Sequence, residues 1–189
     1  MNIYPNKTMN VAVYCSSRQD LPDEYTSVAH AVGRWIGEGG HSLVYGGVNA
    51  GMMHTVAQAA HDAGAHITGI VPACFAYRAD KLTDELLECN NLSDRKAMMI
   101  DRADVFVVLP GGLGTIDEWL STLSQLVVNS DARRKIVVAN IGGLFDSLVS
   151  QIAMLAASPL ARSEMLQMSL IATSETETIT LLNWCANAE

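Results

Sequence analysis

Three short stretches carry residues whose types and spacing could do chemistry. The first runs Pro110-Gly111-Gly112-Leu113-Gly114-Thr115 out of an apolar segment and straight into a helical pattern bearing Asp117 and Glu118. The second, Tyr45-Gly46-Gly47-Val48-Asn49-Ala50-Gly51-Met52-Met53, has the same strand-to-helix character. Glycine-rich turns that open helices let backbone N–H groups approach an anion closely, and the helix N-terminus adds partial positive charge. Thr115 can add a hydroxyl donor. Glycines can also serve only to make tight turns, but two such loops together favour an anion site. The third stretch is Ser93-Asp94-Arg95-Lys96. Its two cations fall in the first turn of a helix, where positive charge is disfavoured. Either something anionic lies near them or they form a solvated pair.

The glycine pattern excludes two familiar nucleotide sites. No G-x-G-x-x-G follows the first strand and no acid ends the second, so the dinucleotide fingerprint is absent. No G-K-[ST] follows the glycines, so this is not a P-loop. A mononucleotide or a sugar phosphate remains. On the helix after Pro110, Thr115, Glu118, Thr122 and Gln125 fall on one face, opposite an Ile116/Trp119/Leu120/Leu123 stripe. Glu118 is expected to point away from that helix's core stripe, one turn from the phosphate loop. There it could hold ribose hydroxyls or a water beside the anomeric carbon, or act only as a helix-start acid. Asp117 reads as a helix-start acid favoured by the dipole. Arg102, near a helix C-terminus, reads as structural.

The elements that must position these residues alternate along the chain. Strands are expected at 10–15, 41–45, 66–72, 104–110, 135–141 and 168–173. Helices are expected from Pro22 to Gly39-Gly40, around Met53–Ala60, from a Ser93 N-cap to Ala103, after Gly114, over 143–156 and from 174. Residues 73–92 are the least regular, with a short helix near 83–88. This alternation with continuous apolar strands predicts an α/β/α three-layer fold with a mainly parallel sheet, in one domain over 1–189. Ligands of such sheets bind at the carboxyl ends of strands near the switch point, where the loops after the strands at 10–15, 41–45 and 104–110 belong.

Composition sets outer bounds. The chain has 189 residues, 49% hydrophobic and 17% charged, as expected of a globular domain. Its net charge of −8, with 12 Lys and Arg, supplies no basic face for nucleic acid. No apolar run spans a bilayer, and Met1–Asn10 has no apolar leader segment after Lys7. A cytoplasmic location is the default expectation. Cys15, Cys74, Cys89 and Cys185 are widely spaced and read as reduced thiols, neither a disulfide framework nor a zinc site. The five histidines show no ligand spacing beyond His54 and His61 at i, i+7. Met98 and Met99 read as core.

Together these residues resemble the LONELY GUY (LOG) family, cytokinin riboside 5′-monophosphate phosphoribohydrolases, many members of which were long labelled lysine decarboxylases. The family pattern P-G-G-x-G-T-x-x-E is complete as Pro110, Gly111, Gly112, Gly114, Thr115 and Glu118. The family's R-K pair matches Arg95-Lys96. Its Y-G-G-G-x-x-G-L-M-G loop matches in part, at Tyr45, Gly46, Gly47, Gly51 and Met53, and its C-G-S-S start matches Cys15 and Ser17. The resemblance covers roughly residues 10–156. It implies a Rossmann-like homodimer that hydrolyses the N-glycosidic bond of an AMP-like nucleotide, N6-modified bases included, to free base and ribose 5-phosphate, without metal or organic cofactor.

By that resemblance Arg95 and Glu118 are the catalytic pair. Gly111, Gly112, Gly114 and Thr115 hold the 5′-phosphate, with the loop of Gly46, Gly47, Gly51 and Met53. Ser17 and Lys96 belong to the wider site. Four positions depart from the pattern: Ser16 for a glycine, Val48 for the third glycine of the second loop, His54 for a glycine, and Ser93 for a histidine. Phe75, Tyr77 and Arg78 are candidates for the rim over the base, or ordinary loop packing. A non-catalytic nucleotide-binding or sensing module is the alternative function. Decarboxylation would need a Schiff-base lysine and a cofactor pocket, and no lysine stands obviously at a strand end.

Overall fold

Apolar strands that feed helices can bury both faces only in a layered parallel sheet, and that is the arrangement in a computed structural model describing residues 8–162 and 164–188. The leader-free reading of the N-terminus falls largely on residues 1–7, outside the described residues. Seven strands form one sheet in the order β4-β3-β2-β1-β5-β6-β7. They are β1 (Asn10–Tyr14), β2 (Ser42–Tyr45), β3 (His66–Pro72), β4 (Glu85–Cys89), β5 (Val105–Val108), β6 (Ile136–Ala139) and β7 (Ser169–Ala172). Every pairing is parallel.

The helices are α1 (Asp23–Glu38), α2 (Gly51–Asp62), α3 (Leu92–Arg102), α4 (Leu113–Val128), α5 (Asp146–Ala156), α6 (Met165–Met168) and α7 (Glu175–Asn187). Strand side chains alternate between two cores. Val11, Val13, Val105 and Val107 pack on α1, α2 and α7 through Val32, Ile36, Val56 and Leu182. Ala12, Tyr14, Phe106 and Val108 pack on α3, α4 and α5 through Met99, Trp119, Leu123 and Ile152. Met99 is fully buried, as its spacing implied, whereas Met98 is only partly so.

Because β2, β3 and β4 step outward on one side of β1 and β5 returns to its other side, the switch point falls between β1 and β5. The loops leaving these strands are joined there: Ser16 N–H donates to the Pro110 carbonyl at 3.2 Å, and Met52 N–H to the Ser16 carbonyl at 3.1 Å.

Three sequence expectations change. The segment near 83–88 is not a helix but the edge strand β4, paired with β3 from Thr68↔Glu85 to Pro72↔Cys89. Exposed on most of its length, it lacks the apolar alternation that marks a strand. The cap of α3 is Asn91, not Ser93: its side chain accepts the Asp94 N–H at 2.9 Å. Residues 141–143 form a single 3-10 turn, so α5 begins only at Asp146.

Candidate active site

The site begins with α3. Arg95 lies in the turn after the Asn91 cap, yet is only 9% exposed. Its Nε donates to the Ile70 carbonyl at 2.9 Å, and its Nη1 to Glu118 Oε1 at 3.1 Å. The cation misplaced near a helix start is thus held by a carboxylate and a strand-end carbonyl. Its neighbour Lys96 is matched as well, bonding both Asp117 oxygens at 2.8 and 2.7 Å and Ser121 Oγ at 3.0 Å. Two consecutive cations of α3 meet two consecutive acids of α4. Asp117 is therefore no helix-start acid; it lies beyond the first turn of α4 and is a partner for Lys96. Of the two pairs, Arg95–Glu118 is the buried one, and Asp117 is half-exposed.

The inward face of α4 also differs from the expected one. Thr115, Glu118 and Thr122 are buried together with Trp119 and Leu123, while Leu120 is exposed. The polar face packs toward the sheet because the strand offers it a partner. Tyr14 Oη meets Thr122 Oγ1 at 2.9 Å, and Thr122 Oγ1 donates to the Glu118 carbonyl at 2.8 Å. Tyr14 must then be the donor to Thr122. This chain fixes the turn of α4 that carries Glu118 against β1.

Burial dominates the electrostatics of Glu118. Desolvation pushes its carboxyl up from 4.5 to about 7, against the opposing pull of Arg95; Asp117 adds to the rise and Lys96 counters it. A carboxyl poised there can exchange a proton near neutral pH. Removing either partner of a buried pair typically costs about 3–5 kcal/mol, since the survivor is left as an uncompensated charge.

The glycines shape the rest. A Cβ at Gly46 would collide with the Arg95 guanidinium, so this glycine makes room for the cation. Gly51 opens α2 at φ +51°, with the Arg18 carbonyl where a Cβ would stand. Gly47 packs on Gly69, and Gly111 on Thr115. Gly112 and Gly114, by contrast, have nothing within 4 Å of the Cβ position. Gly112 caps α4 with no side-chain hydrogen bond, and the first turn holds no acid. The first N–H groups of α4 therefore open onto free space, the arrangement that receives an anion.

A cavity of about 180 Å³ lies beside Arg95, and none of Gly111, Gly112, Gly114 and Thr115 lines it. Ser17, Gly46, Met53 and Arg95 line it, all expected site residues. Val48, Phe75 and Arg78 face them from the second loop and from a 3-10 turn at 73–78, with Pro72 and Leu92 completing the wall. Tyr77 is 82% exposed and does not line it. Pro72 signals only the end of its strand in the sequence, and Leu92 carries no sequence signal. Glu118 sits behind Arg95 and does not line the cavity. Lys96 is turned to Asp117 and does not line it either.

A doubly wound parallel sheet with an open helix N-terminus and a buried Arg–Glu pair near its switch point defines an α/β protein with a candidate anion site. The comparisons narrow this. The family model described as "Possible lysine decarboxylase" matches residues 53–182. A cytokinin riboside 5′-monophosphate phosphoribohydrolase of Mycobacterium marinum is 37% identical over 148 residues, 77% of this chain and 78% of that protein. The rice enzyme of the same name is 34% identical over 76% of this chain, and an Arabidopsis thaliana one 34% over 74%. The chain spans 60% and 66% of the length of these two plant relatives. The chain belongs to the LOG family.

Solved structures show the same fold at lower identity. The molybdenum cofactor binding protein of Rippkaea orientalis superposes with a TM-score of 0.72 at 21% identity, over 94% of this chain and 97% of that one. The molybdenum cofactor carrier protein of Chlamydomonas reinhardtii gives 0.75 at 18%, over 96% and 100%. Among the described residues no helix is long and apolar enough to cross a membrane.

Proposed function

We propose that this single-domain protein hydrolyses the N-glycosidic bond of purine nucleoside 5′-monophosphates, releasing free base and ribose 5-phosphate. The buried Arg95–Glu118 pair at the switch point carries the reading. Breaking a C1′–N bond builds positive charge on the ribose, as in glycoside cleavage. A carboxylate beside the ring stabilises that charge and orients the attacking water. Glu118 takes this role. Arg95, always charged and already fixed by Ile70, positions and stabilises the departing base rather than acting as an acid.

Gly112, Gly114 and Thr115 receive the 5′-phosphate at the start of α4, with Gly111 closing the turn. Ser17, Gly46, Gly47, Gly51 and Met53 form the second wall, and Lys96 holds Asp117 at its margin. Fixed phosphate contacts would set the sugar in register with Glu118, and such positioning contributes several kcal/mol to barrier lowering in general. The apolar walls of Met53, Val48 and Phe75 suit a purine and its N6 substituent. Three relatives carry the name phosphoribohydrolase, which supports the same reaction here. No cofactor enters the reaction.

The reading takes the enzyme as a cytoplasmic homodimer. Its four cysteines are unpaired, as suits a reducing compartment. Leu113, Leu120 and Val128 stand exposed on α4, with Leu92 exposed at the start of α3. These are the side chains a second copy would cover. The test of the reaction is release of free base across a panel of purine and pyrimidine monophosphates. Release from AMP or N6-isopentenyl-AMP is expected, and no release from any of them ends the proposal.

A further inference from the structure

We propose that His54 and Asp80 form a latch that sets the rim of the nucleotide pocket, and are thus positioning residues for recognition of the base. The inference rests on the reaction proposed above and extends it to residues outside the Arg95–Glu118 pair. His54 stands in the first turn of α2, beside Met53 of the pocket wall. Its Nδ1–H donates to Asp80 Oδ2 at 2.8 Å. Asp80 is 3% exposed and also accepts the Leu82 N–H at 3.2 Å. Among the described residues no lysine or arginine pairs with it. The buried Tyr45 hydroxyl lies close to Asp80 but makes no well-formed hydrogen bond to it. A buried carboxylate with a single side-chain donor depends heavily on that donor.

What the pair holds is the rim. The loop after β2 and the segment after β3 are stitched by backbone bonds: Asn49 N–H to the Arg78 carbonyl at 2.9 Å, and Asp80 N–H to the Gly47 carbonyl at 2.8 Å. Val48 and Ala79 form an antiparallel bridge between them. These two segments carry Val48, Phe75 and Arg78, which face Arg95 across the cavity. The latch is the side-chain bond that ties the segment after β3 to α2, into which the loop after β2 runs directly. Arg95 and Glu118 are held by bonds outside the latch, Arg95 to the Ile70 carbonyl and the two to each other. Loosening the latch should therefore disturb recognition of the base while leaving the chemistry intact.

The experiment compares wild type, His54→Ala and His54→Asn, the last keeping an N–H donor near the Nδ1 position. His54 is half-exposed, so its loss spares the core. In His54→Ala the amides of Asn49 and Asp80 should exchange with solvent about tenfold faster than in wild type, while the β1 and β5 amides do not change. KM for AMP should rise about tenfold with kcat held within about twofold. His54→Asn should restore both. Unchanged exchange, or faster exchange with unchanged KM, or a loss confined to kcat, overturns the latch. A wild type that releases no base from any nucleotide removes the reaction and not the latch. In that event the AMP dissociation constant replaces KM, and the same tenfold weakening in His54→Ala is required.

Discussion

The raised carboxyl of Glu118 predicts how activity depends on pH. Burial moves it from 4.5 to about 7, a shift equivalent to about 3 kcal/mol favouring the protonated form. The proposed role needs the carboxylate. The sign is therefore fixed: activity is present above the raised value and is lost as pH falls through it. At pH 6 about one molecule in ten carries the charge and at pH 5 about one in a hundred, so kcat/KM should fall about tenfold per unit below 7. The substrate's own phosphate titrates nearby, at about 6, and a second perturbation separates the two. Arg95 lowers the Glu118 value by its positive charge. Arg95→Met should move the acid limb to higher pH while leaving the phosphate of AMP unchanged, along with a loss of overall rate. Free-base release measured from pH 5 to 8.5 reads both. A profile flat across pH 5–8, or a limb that stays in place in Arg95→Met, would refute the reasoning.

The two kinds of glycine in the site should behave oppositely. Gly46→Ala would drive a Cβ into the Arg95 guanidinium and displace it from Glu118; base release should fall by at least about a hundredfold, as when an electrostatic catalytic group is lost. Gly114→Ala meets no neighbour within 4 Å, so thermal unfolding should not drop, yet the methyl narrows the approach to the open N–H groups and KM for AMP should rise several-fold. Val128→Asp, at a position 70% exposed on α4, should turn a dimer into a monomer by light scattering; a wild type that is already monomeric contradicts the dimer.

The glycine loops and the cation pair of the candidate site stand out in the sequence because their signals are local. The passage from apolar strand through glycines to helix marks Pro110–Thr115 and Tyr45–Met53 within a few residues of sequence. Arg95 and Lys96 were marked by a placement that the helix dipole disfavours. What escaped depends on distant partners. The polar face of α4 looked outward because periodicity assigns apolar residues to the core. Tyr14, 108 residues away from Thr122, makes the polar side the buried one. The Lys96–Asp117 pair is invisible until α3 and α4 lie side by side. Edge strand β4 lacks a buried face and so lacks a period, and only pairing with β3 defines it. His54 stands out in the sequence only as a departure from the glycine pattern and as half of an i, i+7 histidine pair, since nothing local points to Asp80.

The most direct measurement is a pair of assays on Glu118→Gln: free-base release from AMP and affinity for AMP by calorimetry. The substitution keeps the shape and removes the carboxylate beside Arg95. The account predicts that base release falls by about a thousandfold or more while the dissociation constant changes by less than about fivefold. A Glu118→Gln protein that still releases adenine at a rate near that of wild type would contradict it.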